Sequence, residues 1–171
     1  MEWVYSETVK QHFVHPKNIL ENEKEYNEDG RGYVGNPKCG DMMLVVIKVD
    51  IEKNAVKEMK WRTYGCASAI ASTSMLSEMV KGMSLNEAYK ISPNDIMNKL
   101  GGLPENKIHC SVLGDKALRD AIDNYYFRTN QTDKIQKKNA VEICECLNVT
   151  DIEIEEQVLE GVKDFETLQE R

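Results

Sequence analysis

The sequence predicts an α+β fold, with strands grouped early in the chain and helices after them. Two observations carry this. Residues 42–50 (MMLVVIKVD) and 55–64 are two strand-like runs joined by the turn DIEKN. The first is apolar and β-branched, and the second alternates Met59 and Trp61 with Glu58, Lys60 and Arg62. From Gly65 onward the apolar spacing changes from two to three or four, and it stays helical to about residue 128.

Each element follows in order. Residues 3–14 (WVYSETVKQHFV) predict a short amphipathic helix ended by Pro16. Residues 17–31 are polar and read as irregular, with a short strand near 32–36 beside the 42–64 hairpin. Ala69, Thr73, Leu76 and Val80 then form one helical stripe, flanked by small residues (Ala67, Ser68, Ala71, Ser72) that allow close packing. Ser84 and Glu87 make a capping box for a short helix. Ser92 followed by Pro93 starts another. A helix over 109–128 turns Leu118, Ala121, Ile122 and Tyr125 inward. Residues 129–140 (TNQTDKIQKKNA) read as a linker, and a small second unit begins at Val141. In it Thr150 and Glu153 cap a helix whose apolar face is Ile152, Ile154, Val158 and Leu159.

Charge excludes one function class. Of the 171 residues, 151–171 carry eight acids and two bases, while the rest is nearly balanced at 21 acids and 20 bases. No basic patch offers a nucleic-acid footprint. The start MEWVYSETVK has no cationic segment followed by an apolar run, and no stretch approaches the ~18 apolar residues of a membrane helix. The expectation is a soluble cytoplasmic protein, where five scattered cysteines read as metal-binding or reactive rather than as disulfides.

Three of those cysteines stand at the ends of elements. Cys39 lies in the loop GNPKCGD, two residues from Asp41; Cys66 lies where a strand turns into a helix; Cys110 heads the last long helix, beside His109. A helix N-terminus favours negative charge, so Cys66 and Cys110 are set up as thiolates, the form that binds metal and attacks electrophiles. Taken singly each cysteine could be a small buried apolar residue, His109 a hydrogen-bonded structural residue and Asp41 a turn residue. As a set at junctions they make poor core positions. His12 and His15 read as structural or solvated.

Three segments, GNPKCGD (35–41), YGCASAIASTS (64–74) and LPENKIHCSVLGDKALRDAI (103–122), resemble the motifs of the iron–sulfur cluster assembly scaffolds of the IscU/NifU type. FVHPKNIL (13–20) is similar to the family's segment after its first helix, and the likeness covers about residues 3–128. The resemblance implies a three-stranded antiparallel sheet with helices packed on one face, in a scaffold domain over 1–128. It implies that Cys39, Cys66 and Cys110 converge and hold a nascent [2Fe–2S] cluster, with Asp41 or His109 as fourth ligand. It further implies a non-enzymatic scaffold that receives persulfide sulfur from a cysteine desulfurase, by analogy on Cys110, and passes the cluster to apo-proteins. A ferredoxin, an Hsp70-type chaperone and a homodimer are further implied partners. The segment Leu103-Pro104-Glu105 carries one proline where the family's chaperone-docking motif usually has two. A carboxylate is a harder ligand than a thiolate, so Asp41 would keep the cluster labile.

The tail VEICECLNVTDIEIEEQVLEGVKDFETL (141–168) resembles the start of the ferredoxin-like [2Fe–2S] module of longer NifU proteins. Cys144 and Cys146 match that module's first cysteine pair, and no later pair follows. The segment reads first as a remnant packing as a helical appendage, next as a module cut short, and last as half of a site shared between two chains. Two rival functions stand beside the scaffold. Three thiolates with Asp or His also suit zinc, as a regulatory or structural ion. Cys110 with His109 could form a nucleophilic pair, though adjacent side chains rarely face each other and no oxyanion-hole motif accompanies them.

Overall fold

The structure is a computed structural model. It describes residues 5–36, 41–103, 109–135, 141–144, 149–159, 162 and 164–169, and of residues 36, 41, 109–112, 142, 153, 155, 156 and 159 the backbone alone. The chain forms two compact units, Met1–Ile135 and Gln136–Arg171.

The first unit opens with α1 (Glu7–Val14). Its N-cap is Ser6, whose Oγ accepts the Val9 N–H at 3.1 Å. That cap sets the start, so Tyr5 lies outside the helix, contrary to the expected span of 3–14. Three strands follow: β1 (Gly30–Asn36), β2 (Asp41–Asp50) and β3 (Ala55–Tyr64). They pair antiparallel in the order β1-β2-β3. The register runs from Gly30 opposite Ile47 to Asn36 opposite Asp41, and from Met42 opposite Tyr64 to Asp50 opposite Ala55.

The central strand explains its own sequence. Met43, Val45 and Ile47 are fully buried in the main core, where the helices lie. Leu44 and Val46 point the other way, and there Leu20 and Tyr26 of the 17–29 segment cover them. A strand buried on both faces has no wet side, hence an unbroken apolar run rather than alternation. The covering segment is pinned at β3: the Leu20 N–H donates to the Trp61 carbonyl at 2.8 Å, and Trp61 Nε1 donates to the Lys17 carbonyl at 2.8 Å.

The helices are α2 (Ala67–Met79), α3 (Leu85–Tyr89), α4 (Pro93–Leu100) and α5 (His109–Arg128). The expected stripe of α2 is buried throughout, as are Leu118, Ala121, Ile122 and Tyr125 of α5. The expected capping box at Ser84–Glu87 forms, and Ser92, expected as an N-cap ahead of Pro93, makes a further box with Asp95. The box expected at Thr150–Glu153 needs the Glu153 side chain, which lies outside the described residues. In β1, Gly30 and Gly32 have the α5 backbone against them; a Cβ at Gly32 would overlap the Ala117 carbonyl oxygen. Past α5 a 3₁₀ turn (Thr132–Lys134) leads to Ile135, which packs against the core. The first unit thus continues beyond residue 128, through residues the sequence reads as linker.

In the second unit β4 (Glu142–Cys144) pairs antiparallel with β5 (Val149–Thr150), followed by α6 (Asp151–Leu159) and α7 (Phe165–Gln169). Asp151 closes the ladder: its N–H donates to the Val141 carbonyl at 2.9 Å, and its Oδ1 accepts the Val141 N–H at 2.8 Å. Val158 is 56% exposed, which corrects its place in the expected apolar face of α6.

Candidate functional site

The sheet has two ends, and the register assigns each candidate residue to one of them. Asp41 begins β2 opposite Asn36, and Met42 pairs with Tyr64, so the last residue of β3 stands at the same end. Gly65 and Cys66 follow directly. Cys39 falls in the 37–40 connection between Asn36 and Asp41, outside the described residues.

Cys66 is the N-cap of α2, with extended backbone (φ −71°, ψ 169°), and its carbonyl accepts the Ile70 N–H at 3.1 Å. Its thiol is half-buried at the edge of the main core. Beyond the far end of α2, the Gly82 N–H donates to the Val56 carbonyl and the Val56 N–H to the Met83 carbonyl, both at 2.8 Å. The helix therefore runs from the Tyr64 end of the sheet to the Val56 end.

The direction of α5 follows from its glycine contacts. Gly30 lies against Ala121 and Tyr125, and Gly32 against Ala117 and Asp120. Two strand residues advance about 6.7 Å and four helix residues about 6 Å, so β1 and α5 keep step in opposite directions. Continuing that step brings the first turn of α5, with His109 and Cys110, to the level of Asn36 and Asp41. The two helices cross where Gly114 meets Thr73: a Cβ there would stand 3.0 Å from Thr73 Oγ1.

One end of the sheet thus gathers the start of β2, the N-cap of α2 and the first turn of α5. Neither helix carries an acid in its first turn. Their partial positive charges are left to act on whatever anion stands there, thiolates included. Among the described side chains no three of His, Cys, Asp and Glu converge on one point. Cys39 and the side chains of Asp41, His109 and Cys110 lie outside that set. Cys144 is half-buried in β4, in the other unit, and Cys146 lies outside the described residues.

Two buried polar groups lie nearby. Asp115, five residues after Cys110, is only 2% exposed. Its Oδ2 takes an ion pair from Arg119 at 2.8 Å, and Arg119 also donates to the carbonyls of Tyr89 (3.1 Å) and Ile91 (3.0 Å). Oδ1 has no hydrogen-bond partner among the described residues. Burial pushes the Asp115 carboxyl up to about 6, against the opposing pull of Arg119 and Lys116. Sequence reading passed Asp115 over, although it stands three residues before Leu118 and seven before Ile122, on the inward stripe itself. His12, expected to be structural or solvated, is buried, with Nδ1 2.7 Å from Ser74 Oγ; His15 is exposed.

Comparison with known proteins agrees with the motifs. Residues 4–132 match the family described as the NifU-like N terminal domain. The iron–sulfur cluster assembly scaffold protein IscU 1 of Archaeoglobus fulgidus is 45% identical over 134 residues, 78% of this chain and 84% of that one. IscU of Aquifex aeolicus is 39% identical over 168 residues, covering 98% of both chains. The nitrogen fixation protein NifU of Trichormus azollae is 40% identical over 162 residues, 93% of this chain but 54% of its own length. A solved NifU-like N-terminal structure from Brucella abortus superimposes with a TM-score of 0.55 at 17% identity, over 72% of this chain and 94% of that one, which supports the fold alone. The chain belongs to the IscU/NifU family, with a NifU-like N-terminal domain over residues 4–132.

Proposed function

We propose that this protein is a scaffold on which a [2Fe–2S] cluster is assembled from iron and sulfur and then surrendered to apo-proteins. The single observation that supports it most is the gathering of Asp41, Cys66 and the His109–Cys110 turn at one end of the sheet, on helix starts that favour thiolates. In this reading Cys39, Cys66 and Cys110 supply the sulfur ligands, and Asp41 or His109 the fourth. The iron and sulfide are cargo, so no resident cofactor is required.

Sulfur arrives from a cysteine desulfurase. The Cys110 thiolate attacks the outer sulfur of the donor persulfide, forming a new S–S bond as the donor's S–S bond breaks and its thiolate leaves. That exchange is redox-neutral. Reducing the transferred sulfur to sulfide then takes two electrons from a ferredoxin-type donor. Transfer outward is eased by Asp41, since a carboxylate holds iron less tightly than a thiolate does. An Hsp70-type chaperone and a homodimer belong to the same reading, and a reducing compartment such as the cytoplasm keeps the thiols available. Zinc on the same ligands gains no support from the names of these relatives.

The test is anaerobic reconstitution followed by transfer to an apo-ferredoxin. Single Cys→Ser changes at 39, 66 and 110 should each remove the visible charge-transfer spectrum. Asp41→Ala should keep the spectrum and slow the transfer. Unchanged spectra in all three cysteine variants would overturn the scaffold role, and unchanged or faster transfer in Asp41→Ala would overturn the part given to that carboxylate.

A further inference from the structure

The segment ahead of α1 touches both of the helical parts that lead to the proposed site. Tyr5 Oη lies 3.2 Å from Ser68 Oγ, and Ser68 is a fully buried residue of the first turn of α2, two positions after Cys66. The next residue, Ser6, donates from Oγ to the Leu100 carbonyl at 2.5 Å while the same oxygen accepts the Val9 N–H. Leu100 ends α4, and Gly101, in a left-handed conformation (φ 75°), lies beside Ser6, where an added Cβ would stand 3.5 Å from the Ser6 Cβ. From there Leu103 rests on the core and the chain goes on to His109 and Cys110. Two adjacent residues therefore bond to parts of the chain 63 and 94 positions away. One partner follows Cys66, and the other opens the segment that precedes Cys110.

We infer that Tyr5 and Ser6 are positioning residues: a clasp that fixes the spacing of the Cys66 and Cys110 segments for metal. The inference rests on the proposed assembly role. The clasp does not touch the metal. It acts by holding the start of α2 and the end of α4 to one rigid point, the cap of α1. α1 is itself anchored on α2 through His12–Ser74 and through the Lys17 N–H, which donates to Ser74 Oγ at 2.8 Å. Removing a clasp hydroxyl lets the two segments drift. Ser6→Ala also takes the cap from α1, which lowers folding stability, while Tyr5→Phe leaves that cap in place. The clasp is therefore read in metal affinity against a control of matched lower stability.

Cobalt(II) is the probe, because thiolate coordination gives it a strong sulfur-to-metal charge-transfer band and tetrahedral d–d bands. The reduced 171-residue chain is titrated anaerobically with cobalt(II), alongside Tyr5→Phe, Ser6→Ala and Ser6→Thr. Val56→Ala serves as a control of lowered stability at the far end of the sheet, where Val56 is fully buried. Loss of one hydrogen bond predicts about three- to tenfold weaker cobalt binding in Tyr5→Phe and in Ser6→Ala, with shifted d–d bands. Ser6→Thr should restore both affinity and bands, and Val56→Ala should leave them unchanged. Unaltered affinity in Tyr5→Phe and Ser6→Ala would overturn the clasp, and so would an equal loss in Val56→Ala. A wild-type protein with no thiolate band would defeat the assembly reading, and the clasp with it.

Discussion

Replacing Asp115 with asparagine should stabilise the first unit at neutral pH, the reverse of the usual result of altering a buried residue. The carboxyl is 2% exposed, Oδ1 has no hydrogen-bond partner among the described residues, and burial raises it from an ordinary 3.8 to about 6. The folded state therefore holds its proton more tightly than the unfolded chain does. Its contribution to stability is fully present below pH 3.8 and is lost as pH rises through about 6. At about 1.36 kcal/mol per pH unit, the ionised carboxylate costs about 3 kcal/mol at pH 7.5. Asparagine keeps the shape and an acceptor for Arg119 without the charge, so Asp115→Asn should gain about 1–3 kcal/mol at pH 7.5. At pH 4 the gain should vanish. Urea unfolding followed by circular dichroism at pH 4, 5, 6, 7 and 8 measures both. A variant less stable than wild type at pH 7.5, or a stability difference that stays constant across the series, would refute the reasoning.

Gly32→Ala should be severe: the new Cβ overlaps the Ala117 carbonyl and crowds the backbone of Ala121. Backbone must move, so a loss of about 3 kcal/mol or more is expected in thermal unfolding, with loosened amide-exchange protection in β1 and α5. Ser92→Ala removes the cap of α4, where Ser92 Oγ accepts the Asp95 N–H at 3.3 Å and Asp95 Oδ2 accepts the Ser92 N–H at 2.9 Å. It should cost about 1 kcal/mol by denaturant titration, with the core spectrum unchanged.

How much of this was legible depends on the range of the interactions. The strands, the Ser84–Glu87 capping box, the Ser92–Pro93 helix start and the inward face of α5 rest on neighbours a few residues away, and spacing alone carries them. The three motifs point to the proposed site because each marks an end of an element. Tyr5 and Ser6 left no such mark: their partners lie far along the chain, and a helix reading that swallowed residues 3–6 hid them. Val158 was misassigned for a related reason, since an apolar stripe says nothing of whether another layer lies against it. Residues 129–140 read as linker because they are polar, yet Ile135 packs against the core and the Gln131 N–H donates to the Tyr126 carbonyl, holding the first part of the segment onto α5. Asp115 was the opposite case: its position on the buried stripe was visible, and its charge was what made it worth asking about.

Iron-edge X-ray absorption on the anaerobically reconstituted protein tests the central claim most directly. The account predicts an iron shell dominated by sulfur, with a minor oxygen or nitrogen contribution and an iron–iron vector. It also predicts that Cys66→Ser lowers the sulfur count or abolishes the shell. An iron shell of oxygen and nitrogen alone, or a sulfur shell indifferent to loss of Cys39, Cys66 and Cys110 together, would contradict it.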